Sequence, residues 1–118
     1  MGVAETIIQT SLLGEAIDDG PALVFVADER MRYVAVNQRA CRALGYTRAE
    51  LLELRVADVA RTEDAPAQYD AMVDRGFLSG TIPLTCKDGT TIDFAYRAST
   101  TRVAKLEFFV SVGFVREG

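Results

Sequence analysis

The spacing of apolar residues predicts a helix at the start of the chain and a β-hairpin after it. Between residues 4 and 17, apolar positions recur on one side of a helix, which indicates an amphipathic helix. These positions are Ile8, Leu12 and Ala16, widened by Leu13 and Ile17. The stretch "DDGP" then ends the helix. Two β-rich runs follow, "ALVFVAD" and "RYVAVN", and the polar "DERM" between them indicates an antiparallel hairpin.

The chain changes from the period of a strand to that of a helix at Asn37. Its side-chain oxygen can accept an unpaired backbone N–H, so Asn37 is the expected N-cap of this helix, and Gly45 is expected to end it. The stretch "TRAE" at 47–50 is a capping box that begins a second short helix. A further helix is predicted over residues 66–76.

The last third of the chain predicts strands. "TIPLTCK" and "TTIDFAYRA" flank Asp88-Gly89, a strong hairpin signal. Pro83 lacks a backbone donor, which favours an edge strand. The final run, "LEFFVSVGFV", is apolar on both faces, so we expect a central strand that is covered on both sides.

Composition restricts the function classes. The chain has 118 residues, of which 49% are hydrophobic, and a net charge of −4, which is typical of one soluble domain and unfavourable for direct binding to nucleic acid or anionic membranes. No apolar run is long enough to span a membrane. There is no histidine, which argues against haem, and no metal site is predicted. Cys41 and Cys86 are expected to be buried thiols in a reducing cytoplasm.

Taken together, these segments resemble a PAS domain, a sensory domain family, here of bacterial type. The pieces that match in order and spacing are "LVFVADERMRYVAVN", "QRACRALGY", "TRAELLELRVADV" and the "KDGT" hairpin. The resemblance implies an α+β fold with a five-stranded antiparallel sheet, order 2-1-5-4-3, and short helices on one face. Residues 1–19 are assigned to the N-terminal amphipathic helix, which would cap the domain or mediate dimerisation, and residues 20–118 to the PAS domain.

The resemblance also implies a ligand pocket between the helices and the inner face of the sheet. It places Phe25 and Ala27 inward, and alternation along the later strands adds further inward positions. The pocket candidates are Phe25, Ala27, Asn37, Leu52, Tyr69, Met72, Leu84, Phe94, Tyr96, Phe109 and Ser111.

Several ligand chemistries of the family do not fit these residues. Light-oxygen-voltage members carry a photoreactive cysteine at the position that Val56 takes here, so a photoactive flavin adduct is not expected. The inward positions hold no Arg or Lys, which argues against a citrate-like anion. The alternatives that remain are a small, mostly apolar ligand, with Tyr96 and Ser111 as polar contacts, or no ligand.

The resemblance favours a non-catalytic sensory module that acts as a homodimer and passes its signal to an effector domain of the same or another chain, such as a histidine kinase or a transcription regulator. The expected dimer interface comprises Ile8, Leu12, Val24, Val26, Phe108, Val110, Val112 and Phe114. One alternative is a pure dimerisation or protein-interaction domain with a filled core. Another is a small ketosteroid-isomerase-like enzyme, but its candidate base Asp93 and donor Tyr96 would lie on opposite faces of a strand.

Overall fold

The described part of the chain contains four complete helices and five strands. A computed structural model describes residues 3–60 and 74–116. In chain order the elements are α1 (Val3–Asp18), β1 (Leu23–Ala27), β2 (Tyr33–Val36), α2 (Gln38–Leu44), α3 (Arg48–Leu51), α4 (Val56–Val59), β3 (Phe77–Thr85), β4 (Thr91–Val103) and β5 (Leu106–Val115). Most of the helix predicted over residues 66–76 lies outside the described residues.

The strands form one antiparallel sheet in the order β2-β1-β5-β4-β3. The predicted sheet order and fold class are therefore confirmed. Pro83 lies in β3, an edge strand, where its missing N–H costs no ladder bond on the open side. The doubly apolar β5 lies in the centre, between β1 and β4.

Helix α2 begins and ends, and α3 begins, where the side chains predict. The Asn37 side-chain oxygen accepts the backbone N–H of Ala40 at 3.1 Å, and Gly45 ends α2 in the left-handed conformation, φ 79°. The Thr47 hydroxyl accepts the N–H of Glu50 at 3.1 Å, and the Glu50 carboxylate accepts the N–H of Thr47 at 2.9 Å. This is the predicted capping box.

The core lies between these helices and one face of the sheet, here called the inner face. Leu44 of α2, Leu51 of α3 and Val59 of α4 are its most completely buried large side chains. The N–H of Tyr33 donates to the carbonyl of Leu54 at 3.1 Å, which joins β2 to the segment between α3 and α4. The helices are therefore held against the sheet by backbone bonds as well as by apolar contacts.

Strands β3 and β4 are longer than the sequence predicts, because they pair continuously from Phe77↔Ser99 to Thr85↔Thr91. Beyond Ser99, β4 continues to pair with β5 as far as Val103↔Leu106. The turn between them places Ala104 and Lys105 at positive φ, 51° and 69°. These two residues are poor indicators of such a turn, which is why the sequence does not show where β4 ends.

Helix α1 forms as predicted but lies apart from the body of the domain, because every residue from Glu5 to Ile17 is exposed. Its apolar residues are also not confined to the single face that was expected. Since each residue turns the helix by about 100°, Ile8 and Leu12 lie on one side, while Leu13 and Ile17 lie on another side about 140° away. The helix therefore presents apolar side chains in more than one direction.

Candidate functional site: the two faces of the central sheet

The inner face of the sheet carries an aromatic cluster. The rings of Phe25 and Tyr33 have their centroids 5.5 Å apart, and Phe25 and Phe94 meet edge to face at the same distance. The ring of Tyr96 stacks on Phe94 at 5.7 Å. The inward candidates Phe25, Ala27, Leu84, Phe94 and Phe109 are all buried.

Tyr96 and Ser111 are the half-buried polar side chains among the inward candidates. Tyr96 lies opposite Gly80 on β3, and its hydroxyl oxygen is 3.6 Å from the position of a β-carbon at Gly80. Burial raises the pKa of Tyr96 above its usual value, so the hydroxyl stays protonated at neutral pH and can donate a hydrogen bond. Met31, Leu78, Ala98 and Phe109 form a second, smaller apolar cluster around the same ring.

Two of the pocket candidates occupy positions that do not fit a pocket lining. Leu52 is 40% exposed, whereas the preceding Leu51 is fully buried and takes the inward position. Asn37 is buried, but its side-chain amide is saturated by protein groups, with two N–H groups donating to its oxygen and its nitrogen donating to two carbonyls. Tyr69 and Met72 lie outside the described residues.

The opposite face of the sheet, here called the outer face, carries an apolar stripe along β5 and β1. The register pairs Val24 with Val112 and Val26 with Val110, so these four valines are neighbours across the two strands. Val24, Val26, Phe108 and Val110 are half-buried, while Val112 and Phe114 are 41% and 55% exposed. None of the described helices packs against this stripe closely enough to bury Val112 or Phe114.

The remaining interface candidates, Ile8 and Leu12 of α1, are 56% and 57% exposed. Helix α1 carries Glu5, Glu15 and Asp18 and no Lys or Arg. The outer face has a basic group where Arg97 lies over the ring of Phe77, 4.8 Å from its centroid. An open groove of about 410 Å³ adjoins the exposed Phe114 and includes Arg39 and Arg42. Within this groove Arg42 pairs with Asp19 at 3.2 Å, and Arg39 donates to the carbonyl of Gly20 at 3.0 Å.

The described residues include the two cysteines and the candidate catalytic pair, Asp93 and Tyr96. They contain no group of three Cys, Asp or Glu side chains that could hold a metal ion. Asp93 pairs with Pro83, and Tyr96 pairs with Gly80, so the two side chains lie on opposite faces of β4 as the alternation predicted. Cys41 and Cys86 are buried free thiols. No described helix has the length and apolarity needed to cross a membrane.

Tyr33 is one of the inner-face residues that the sequence did not identify. It is buried, it contacts Phe25, and burial, aided by the negative charge of Asp58, raises its pKa well above the usual range. The sequence pattern gives little indication that Tyr33 points inward, because the pairing of β1 with β2 shifts between Val26 and Ala27. Simple alternation along β2 therefore gives the wrong face for part of the strand.

Comparison with known proteins agrees with this geometry. A family model described as PAS domain matches residues 21–117. A search of curated proteins returned no match. Among solved structures, the chain is similar to a PAS domain from a two-component sensor histidine kinase, with a TM-score of 0.83, 12% identity, and coverage of 94% of this chain and 99% of that one.

Two further structures show the same fold. The PAS domain of an HTR-like protein from Haloarcula marismortui has a TM-score of 0.80 and 20% identity, and the match covers 96% of this chain and 97% of that one. A domain of the sensory box sensor histidine kinase/response regulator from Geobacter sulfurreducens has a TM-score of 0.79 and 21% identity, with coverage of 96% and 99%.

Proposed function

Since the chain belongs to the PAS domain family through residues 21–117, we propose that it is a non-catalytic sensory and signal-transduction module that works as a homodimer. The observation that carries the proposal is the apolar stripe on the outer face. Its most exposed members, Val112 and Phe114, lie on β5 in the middle of the sheet. A contiguous apolar surface at the centre of a sheet is typical of an interaction site.

A second copy of the chain is the partner that fits this surface best. Helix α1 is apolar on more than one side, and such helices are normally buried between two surfaces. The outer face provides one of these surfaces, and α1 of the partner provides another. A two-fold axis would then bring the same stripe and the same helix together from both copies.

The inner face supports the sensory part of the proposal. Its lining is aromatic and aliphatic, with the Tyr96 hydroxyl and Ser111 as polar groups. This chemistry favours a small, mostly apolar ligand that contains one or two hydrogen-bonding groups. The signal would leave through β5, whose outer side is the dimer surface, toward an effector domain of a kinase or a transcription regulator in the cytoplasm.

The alternative is an interaction domain whose core is filled by its own side chains. The aromatic cluster of Phe25, Phe94 and Tyr96 favours this alternative, because these rings already contact one another without a ligand. The two proposals differ only in whether the inner face binds a ligand or is filled by side chains. Both include the homodimer.

Two measurements on the purified chain test the proposal. Sedimentation equilibrium at micromolar concentration should give twice the chain mass, and a strict monomer would exclude the homodimer. Native mass spectrometry, with a UV–visible spectrum of the same sample, should show additional mass or absorption from a bound small molecule. A dimer without additional mass would favour the filled core.

A further inference from the structure

Helix α2 is attached at its start to the end of α1 through the buried side chain of Asn37. The Asn37 amide nitrogen donates to the carbonyls of Ile17 at 2.7 Å and Ala22 at 2.8 Å. Its oxygen accepts the N–H groups of Val24 at 3.0 Å and Ala40 at 3.1 Å. One side chain therefore joins α1, β1 and α2, and it uses both donor hydrogens and both acceptor positions to do so.

Asp18 makes a second connection at the same place. Its carboxylate accepts the N–H of Gln38, the first residue of α2, at 3.2 Å, and it pairs with the guanidinium of Arg48. Arg48 in turn donates to the carbonyl of Val36 at 3.1 Å. A third contact runs from Arg39 of α2 to the carbonyl of Gly20, at 3.0 Å. The end of α1 thus has several bonds to α2 and its neighbours, whereas residues 5–17 are exposed.

The other end of α2 is attached to the turn between β3 and β4. The N–H of Lys87 donates to the carbonyl of Leu44 at 2.9 Å, and the thiol of Cys86 lies 3.6 Å from the carbonyl of Ala43. The Lys87 ammonium also pairs with Glu50 of α3 at 2.6 Å. Between the two attachments, Ala40, Cys41 and Leu44 are buried in the inner-face core.

From these contacts we propose that α2 is a rigid strut that couples the β3–β4 turn and the inner-face core to the orientation of α1. A helix of seven residues spans about 10 Å, and each of its ends is fixed by hydrogen bonds. Because α1 has little other contact with the domain, a displacement of α2 changes the direction of α1. This coupling is a property of the single chain, and it holds whether or not the chain dimerises or binds a ligand.

The test disturbs one end of α2 and reads the other. Gly45→Ala places an alanine at φ 79°, where a β-carbon meets no atom closer than Lys87 Cβ at 3.9 Å, so the variant strains the end of α2 without a clash. The matched control is Gly76→Ala, which imposes the same strain at φ 80° outside α2. The readout is NMR hydrogen exchange of the Asp19 and Gly20 amides, which donate to Glu15 and Ile17 in the last turn of α1.

Coupling predicts that Gly45→Ala accelerates exchange of these two amides by at least about fivefold relative to Gly76→Ala. Equal exchange of these amides in the two variants would overturn the proposal. If exchange were unchanged in both, each substitution would have acted only locally. If it were accelerated equally in both, each would have lowered only the global stability.

A second variant tests the connection at Asn37. Asn37→Asp keeps the oxygen that caps α2 but replaces the donor to Ile17 and Ala22 by an acceptor. It should accelerate exchange of Asp19 and Gly20 while the α2 amides, such as Cys41, stay protected. Faster exchange in α2 with α1 unchanged would contradict the proposal. All variants are measured at one concentration, at which sedimentation shows them in the same oligomeric state, so a difference in exchange between them does not depend on the homodimer.

Discussion

The carbonyl oxygen of Ala95 lies 2.0 Å from the position that a β-carbon would take at Gly113. Gly113 is buried in β5 and pairs with Tyr96 of β4, whose Cα is 2.7 Å from the same position. The φ angle of Gly113 is not in the left-handed region, so the requirement for glycine here comes from the close approach of the strands. Because Gly113 has no side chain, the backbone of β4 at Ala95 and Tyr96 can lie this close to β5.

Gly113→Ala should therefore destabilise the domain by about 3 kcal/mol or more, because two backbone segments have to separate to admit one methyl group. Gly14→Ala is the control, since no atom lies within 4 Å of its added β-carbon. In the exposed helix α1 this change should stabilise the helix slightly, by up to about 1 kcal/mol. Urea unfolding of both variants checks the prediction, and equal stabilities would show that β4 and β5 are not this close.

Removal of the Asn37 side chain should cost more than a helix cap. The cap alone is worth about 1 kcal/mol, but Asn37→Ala also leaves the carbonyls of Ile17 and Ala22 and the amide of Val24 without this partner. We expect a loss of about 3 kcal/mol in the free energy of unfolding. Thr47→Ala removes an exposed cap and should cost only about 1 kcal/mol. Similar losses in the two variants would mean that Asn37 acts as a cap alone.

Asn37 also shows how far the sequence can predict the structure. Its role as a cap follows from local chemistry, because the bonded amide of Ala40 is three residues away. Its contact with Ile17 joins residues 20 positions apart and depends on the assembled fold. Similarly, alternation assigned Phe94 and Tyr96 to the inner face because β4 is long and regular. It could not separate Leu51 from Leu52, because α3 has only four residues and no repeating face.

The position of α1 could not be predicted from the sequence, for a different reason. Spacing predicts that residues 4–17 are helical, but a helix with apolar residues on several sides can pack in several ways. The end of α1 is bonded through Ile17, whose carbonyl accepts from the Asn37 amide, and through Asp18, whose carboxylate accepts the N–H of Gln38. These contacts have no signature in the spacing of Ile8 and Leu12.

Val112→Glu should weaken the homodimer by at least about tenfold, because it buries a carboxylate in the apolar stripe of the outer face. Leu52→Glu is a matched control: Leu52 is 40% exposed and Val112 is 41% exposed, but Leu52 lies among the helices. Sedimentation of the two variants over a range of concentrations measures the effect. If both variants self-associate as the parent chain does, the stripe is not the interface.

The buried Tyr33 and the half-buried Tyr96 should make the domain less stable in alkali. Burial raises the pKa of Tyr96 above 10.0, and burial together with the charge of Asp58 raises that of Tyr33 further. The folded chain therefore holds these protons more tightly than the unfolded chain does. Their contribution to stability is complete below about pH 10 and is lost as the pH rises above that value.

Urea midpoints measured between pH 8.5 and 11 should fall with pH, and the fall should be smaller in the Tyr33→Phe, Tyr96→Phe double variant. Tyrosinate absorbance at 295 nm provides a second measurement, because it should appear at higher pH in the folded chain than in urea. If the double variant keeps the full pH dependence, other groups are responsible for it.

Enlarging Ser111 tests whether the inner face binds a small apolar molecule. Ser111 is half-buried, pairs with Phe25 and Ala98, and lies on the face that carries Tyr96. Ser111→Leu should fill the space beside the Tyr96 ring and reduce binding of the neutral fluorophore N-phenyl-1-naphthylamine by at least about tenfold. Ser99→Leu makes the same change on the outer face, where Ser99 pairs with Val110, and should leave binding unchanged. Fluorescence titration measures binding of the probe to each chain. If the parent chain does not bind it, the filled core is favoured. If both variants bind it equally, the probe does not bind at the inner face beside Ser111.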